Sequence, residues 1–198
     1  MDYENIIIEL LQNHNGIVRT KDIEGAGIPR QYIPNFIQEG ILTRKAQGVY
    51  LAPDTFIDQM YCIGIRSPQI VFSNETALYI HKLTDIEPPI YSVTVPRGYA
   101  TNRLRKSGID VSTVKQELYP IGIINGKTKY GRDIQVYDSE RTICDIIKNR
   151  NKMDKDMFYI ALKKYAVSKD RNLKLLFEYS KQLGMSNQVL QYLEGFLV

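Results

Sequence analysis

Between residues 16 and 53, glycine and proline interrupt the chain at Gly16, Gly25, Gly27, Pro29, Pro34, Gly40, Gly48 and Pro53. Both residue types end regular elements, so no helix there can exceed about three turns. A small module of short elements is expected. Before the first break, Ile6, Ile7, Leu10 and Leu11 recur at helical spacing behind Asp2, which predicts an amphipathic helix over 3–13. "TKDIEGAG" predicts a second helix of barely two turns, with Thr20 as N-cap and a stop at Gly25 to Gly27. A third starts at Pro29, with Ile28, Tyr32, Ile33, Phe36 and Ile37 on one apolar stripe. Arg30, Gln31, Asn35 and Gln38 fall on its other side, and all can hydrogen-bond to base edges or phosphates. Pro34 inside this helix predicts a kink.

After Gly40, "ILTRK" and "GVYL" read as two strands of a hairpin, with Gly48 supplying the positive φ of the bend and Arg44 and Lys45 at the turn. Helix, short helix, helix and basic hairpin in that order predict a winged helix-turn-helix. Its third helix would enter a major groove, and its wing would meet the DNA backbone. A protein-binding winged helix with solvated turn cations would show the same pattern. Net charge does not argue for DNA, since residues 1–54 carry five Lys/Arg against seven Asp/Glu. The useful feature is polarity: Arg19, Lys21, Arg30, Arg44 and Lys45 lie between positions 19 and 45, while Asp2, Glu4 and Glu9 lie on the first helix.

"LAPDTF" marks the expected domain boundary, giving domains 1–54 and 55–198, with Asp54 or Thr55 capping a helix to about Ile65. Strand "QIVF", helix "NETALYIHKL", strand "IYSVTV", a Gly- and Arg-rich connection, strands near Val111 to Leu118 and a hairpin from Ile121 to Tyr137 follow. Four helices then close the chain, the last with Val189, Leu190, Leu193 and Leu197 on one face. The fold class is therefore α+β: a winged helix-turn-helix, then a mixed, mostly antiparallel sheet domain with a C-terminal helical bundle. With 43% hydrophobic and 24% charged residues, the composition is that of a globular protein. No apolar run is long enough for a membrane helix, and "MDYENIIIELLQ" lacks signal-peptide features, so the expected location is cytoplasmic. Cys62 and Cys144 are expected to be buried thiols.

Catalytic signatures are sparse. His14 and His81 are isolated, and neither GxGxxG after a strand nor GxxxxGK[ST] occurs, so no enzyme activity, cofactor or metal is expected. Asp133, Asp138 and Glu140 cluster as a nuclease's carboxylates would, but Asp138 and Glu140 open a helix, where acids are favoured. "VPRGYATNRLRKSG" places Arg97, Arg103, Arg105 and Lys106 within ten residues, either as a second DNA contact or as a solvated loop. Residues 97–132 hold eight Lys/Arg against two acids, and 148–181 hold ten against four. The lysines of "ALKKYAVSKDRNLK" read as a polar helix face. In "YDSERTICDIIKNR", Arg141 and Asp145 are four apart, and an ion pair locking the helix to the sheet is the expected role, ahead of a ligand site.

Two stretches together point to a family. "GIVRTKDIEGAGIPRQYIPNFIQEGILTRKAQGVYLAP" resembles the winged-helix domain of the AbiEi antitoxins, and "VYDSERTICDIIKNR" resembles the ERTxxDxx segment of their C-terminal domain. The resemblance implies a bacterial type IV toxin-antitoxin system of the abortive-infection kind, a form of phage defence. In it the antitoxin represses its own promoter at inverted repeats and counteracts a nucleotidyltransferase toxin without a stable complex. Carried over, the DNA contacts would be Arg30, Gln31, Asn35, Gln38, Arg44 and Lys45, with Arg19 and Lys21 at the first turns. The rival reading is a ligand-responsive winged-helix transcription factor with no toxin partner, and a third is a DNA-cleaving enzyme.

Overall fold

The computed structural model describes residues 2–196, in two compact units, Met1–Arg66 and Ser67–Val198. Leu197, expected on the last apolar face, lies outside the described residues. In the first unit, α1 (Tyr3–Asn13) starts where Asp2 accepts the Asn5 N–H at 3.3 Å. It ends in a left-handed pair, Asn15 and Gly16, with Gly16 N–H donating to Leu11 O at 2.7 Å. A Cβ at Gly16 would stand 2.3 Å from Thr55 Oγ1, so both the backbone and the space demand glycine. Next come β1 (Ile17–Arg19), α2 (Thr20–Gly25), a 3-10 turn (Arg30–Tyr32) and α3 (Ile33–Gln38). A hairpin of β2 (Thr43–Ala46) and β3 (Val49–Leu51) follows, and then α4 (Gln59–Arg66).

The sheet order is β1-β3-β2, antiparallel throughout, which is the winged helix-turn-helix arrangement. β1 has no sequence signature because three residues are too few to show alternation; it exists because β3 returns beside it. The two faces of the sheet are distinct. Val18 and Tyr50 join Ile7, Leu11, Ile23, Ile28, Ile33 and Phe36 in the three-helix core. Ile17, Val49 and Leu51 face the other way and pack on Cys62 of α4. Each fully buried aliphatic or aromatic side chain contributes about 1.5–3 kcal/mol of transfer free energy.

Three local expectations differ from the structure. Pro34 does not kink a helix, because the 3-10 turn intervenes and Ile33 and Pro34 fill the first positions of α3, where a missing N–H costs no helical bond. Arg19, not Thr20, is the cap of α2, with its N–H held by Asp22 Oδ2 at 2.8 Å. The helix after the wing is capped by Asp58 rather than Asp54 or Thr55, and its packing extends the first unit to Arg66, beyond residue 54.

The second unit contains β4 (Val71–Phe72), α5 (Asn74–Ile80), β5 (Ser92–Pro96), α6 (Asn102–Lys106), β6 (Asp110–Val114), β7 (Ile123–Lys127) and β8 (Asp133–Tyr137). The sheet order is β6-β5-β4-β8-β7. It is mixed: β4–β5 and β7–β8 are antiparallel, whereas β4–β8 and β5–β6 are parallel. The helices α7 (Ser139–Lys148), α8 (Lys155–Val167), α9 (Leu173–Gln182) and α10 (Ser186–Leu193) close the fold. Their core gathers Ile143, Ile146, Ile147, Phe158, Leu162, Leu176, Val189 and Leu193. Cys62 and Cys144 are buried thiols, and burial pushes the Cys144 thiol up to about 12.

Candidate nucleic-acid interface

The apolar stripe of the third helical segment is sunk in the core at Ile33 and Phe36, and this turns its other side outward. Arg30, Gln31, Asn35 and Gln38 are all exposed, and Gln31, Asn35 and Gln38 follow helical spacing along one surface. None of the four has a partner among the described residues, so their donors and acceptors face water.

The wing is built differently from its sequence reading. Arg44 and Lys45 lie within β2, and the turn itself is Gln47–Gly48, with Gly48 at φ 73°. Register is Arg44↔Tyr50 and Ala46↔Val49, so Lys45 is the extra residue of a bulge. Directly opposed residues share a sheet face, which puts Arg44 on the side of Tyr50, the face that packs on the helices including α3. Because β2 is an edge strand, Arg44 stays exposed there, as does Lys45.

Arg19 is on the opposite face. It opposes Val49, whose side chain packs toward α4. Its guanidinium forks onto Asp22, Nε to Oδ2 and Nη2 to Oδ1, both at 2.7 Å. That hydrogen bonding raises the Arg19 pKa further. For Asp22, burial pulls upward, but hydrogen bonds from the Arg19 side chain and backbone outweigh it and hold the carboxyl below its usual range. The structure thus brings Arg30, Gln31, Asn35, Gln38 and Arg44 to the helical side of the unit and separates Arg19 from them. Lys21 is exposed on α2. Asp22 is the residue that sequence reading overlooked; its spacing of three from Arg19 was the available signal.

The basic connection of the second unit is not a plain loop. It folds as α6, the crossover between parallel strands β5 and β6. Arg105 is used structurally, its Nη2 donating to Val111 O at 2.6 Å, whereas Arg97 and Lys106 are exposed and Arg103 lies on α6.

"DSERTICD" is a knot of buried polar groups. Asp138 caps α7 through the Arg141 N–H at 2.7 Å and accepts the Tyr179 hydroxyl at 3.0 Å. Glu140 accepts from the Tyr165 hydroxyl and the Asn172 N–H, at 3.0 and 2.8 Å. Arg141, 0% exposed, donates from Nε to Asp145 at 3.0 and 3.1 Å and from Nη1 to the carbonyls of Leu118 and Ile121 at 2.8 and 2.9 Å. Burial raises the Asp145 carboxyl, and the Arg141 charge opposes that rise. Asp133 pairs with Lys127 at 2.8 Å. The three carboxylates considered for a nuclease are therefore held in separate structural contacts, and no group of three or more metal-ligating side chains occurs among the described residues.

The fold is a winged helix-turn-helix unit followed by a second α+β unit. Residues 5–53 match the family model described as transcriptional regulator, AbiEi antitoxin, a regulator family rather than an enzyme family. No curated protein matches the sequence. Among solved structures, the crystal structure of RV2827C protein from Mycobacterium tuberculosis is similar with a TM-score of 0.65 at 12% identity, covering 100% of this chain and 76% of that one. That likeness is one of fold. No helix among the described residues is long and apolar enough to cross a membrane.

Proposed function

We propose that this chain is the antitoxin of a bacterial type IV toxin-antitoxin system. It binds inverted repeats in its own promoter as an autorepressor and counteracts a nucleotidyltransferase toxin in the cytoplasm. The observation that carries the DNA-binding part is the unpaired row Arg30, Gln31, Asn35 and Gln38, with Arg44 on the same side of the sheet. Amide side chains at helical spacing suit base-edge recognition, and exposed cations beside them suit phosphates. Two copies would read the two half-sites of an inverted repeat. In this reading a further backbone contact comes from Arg97, Arg103 and Lys106 of the second unit, which are exposed.

A footprint over the region upstream of the gene tests this reading. Protection of two symmetric half-sites, lost in an Asn35→Ala/Arg44→Ala variant, is the expected result; a uniform, sequence-independent pattern would refute it. Growth rescue from a co-expressed nucleotidyltransferase toxin, without co-purification, tests the antitoxin part. Failure of rescue with intact operator binding would favour a winged-helix regulator with no toxin partner.

A further inference from the structure

The second unit holds a polar cleft of about 460 Å³, within the range of small-molecule sites. One wall is a row along α7 and the 3-10 turn that continues it: Arg141, Asp145, Lys148 and Lys152, spaced four, three and four apart. This spacing keeps all four on one side, while Ile143, Ile146 and Ile147 turn into the core. The facing wall comes from β5, β6 and the start of α5, and presents Thr94, Ser112, Asp110 and Glu75. A hydrogen bond of 3.1 Å from Asn149 Nδ2 to Asn74 Oδ1 ties the walls together at the rim.

Several polar groups in the cleft are spoken for; those without a partner among the described residues include three cationic groups on the α7 side and the Asp110 carboxylate on the facing wall. Asp145 is met by Arg141 Nε, Glu75 accepts from the Ser92 hydroxyl at 3.0 Å, and Arg105 is bound to Val111 O. Arg141 Nη2, however, is buried with no hydrogen-bond partner among the described residues. Its plane is fixed by Asp145, by two carbonyls and by the Tyr137 ring, 4.3 Å from the guanidinium carbon, so this N–H cannot swing to another acceptor. Lys148 and Lys152 are exposed and have no ion-pair partner among the described residues. A buried donor left without an acceptor is costly, and an anionic oxygen is the acceptor that a guanidinium beside two ammonium groups would select.

We propose that this cleft binds a small phosphorylated sugar or nucleoside, its phosphoryl group held by Arg141 Nη2, Lys148 and Lys152 and its hydroxyls by Asp110 and Ser112. The proposal is independent of the DNA-binding reading, since every residue it uses belongs to the second unit. It also assigns a use to part of the positive charge of residues 148–181 that a solvated helix face leaves unexplained.

Titration calorimetry on the full chain tests it, with ribose 5-phosphate, the four nucleoside monophosphates, adenosine and inorganic phosphate as probes. Ribose 5-phosphate and at least one monophosphate are expected to bind saturably, with adenosine at least about tenfold weaker and inorganic phosphate competing. Lys148→Ala/Lys152→Ala is expected to weaken binding at least about tenfold while leaving the ligand-free melting temperature unchanged, because both side chains are exposed. Arg141→Lys, which keeps the charge and loses the fork, is a second arm: if it folds, it too should weaken binding. Absence of binding by all phosphorylated probes at millimolar concentration would overturn the proposal. So would equal affinity for adenosine, or undiminished binding by the double lysine variant. Loss of binding in Arg30→Ala/Arg44→Ala instead would place the ligand on the first unit and refute the site.

Discussion

Removing Arg44 and Lys45 by alanine substitution isolates the electrostatic part of the winged-helix reading. Both side chains are exposed on the edge strand, so each can neutralise one phosphate. Each phosphate contact contributes a slope of about −0.9 to the dependence of log K on log salt, so the double variant should lose about 1.8 from the parent's slope. Over a fourfold rise in salt, from about 50 to about 200 mM, parent affinity should therefore fall about twelvefold more than that of the variant. Arg19→Ala is the structural control. Its guanidinium is already neutralised by Asp22 and faces α4, so the slope should stay at the parent value even if stability drops. Fluorescence anisotropy with a labelled operator duplex at four salt concentrations measures all three slopes. An unchanged slope for the double variant, or a loss of about 0.9 for Arg19→Ala, would show that the cationic surface has been assigned to the wrong face.

Other outcomes follow from the packing. Gly122→Ala should destabilise by about 2–5 kcal/mol, because φ is 80° and a Cβ would lie 2.6 Å from Arg141 Cβ. Gly131→Ala, with φ 78° but open space, should cost only about 1–2 kcal/mol, both variants being measured by urea titration. Asp145→Ala strands the buried Arg141 charge and should cost about 3–5 kcal/mol; a shift below about 1 kcal/mol would mean that the pair is not the lock of α7. The Asp22 carboxyl is held below its unfolded value of about 3.9, so its contribution is complete above that pH and disappears as pH falls through the lower folded value. The stability gap between the parent and Asp22→Asn should accordingly be largest near neutral pH and close on acidification; a gap independent of pH would contradict the Arg19–Asp22 bond.

The apolar periods of α1 and the third helical segment, the glycine breaks between them and the hairpin after Gly40 were readable because each depends on residues within a few positions. The same holds for Arg141 and Asp145, four apart on one helix. What needed the fold was every property set by a returning segment. β1 forms only against β3; Arg44 and Arg19 part company only because their cross-strand partners, Tyr50 and Val49, point to opposite faces; α4 joins the first unit through Cys62, with Tyr61 and Ile65 packed beside it. The cleft is the clearest case. The row Arg141, Asp145, Lys148, Lys152 is a local pattern, but the wall opposite it is supplied from residues 74–75 and 94–114, and whether a buried guanidinium keeps a donor free depends on carbonyls twenty or more residues away. Local spacing decides which side chains travel together, and chain closure decides what they face.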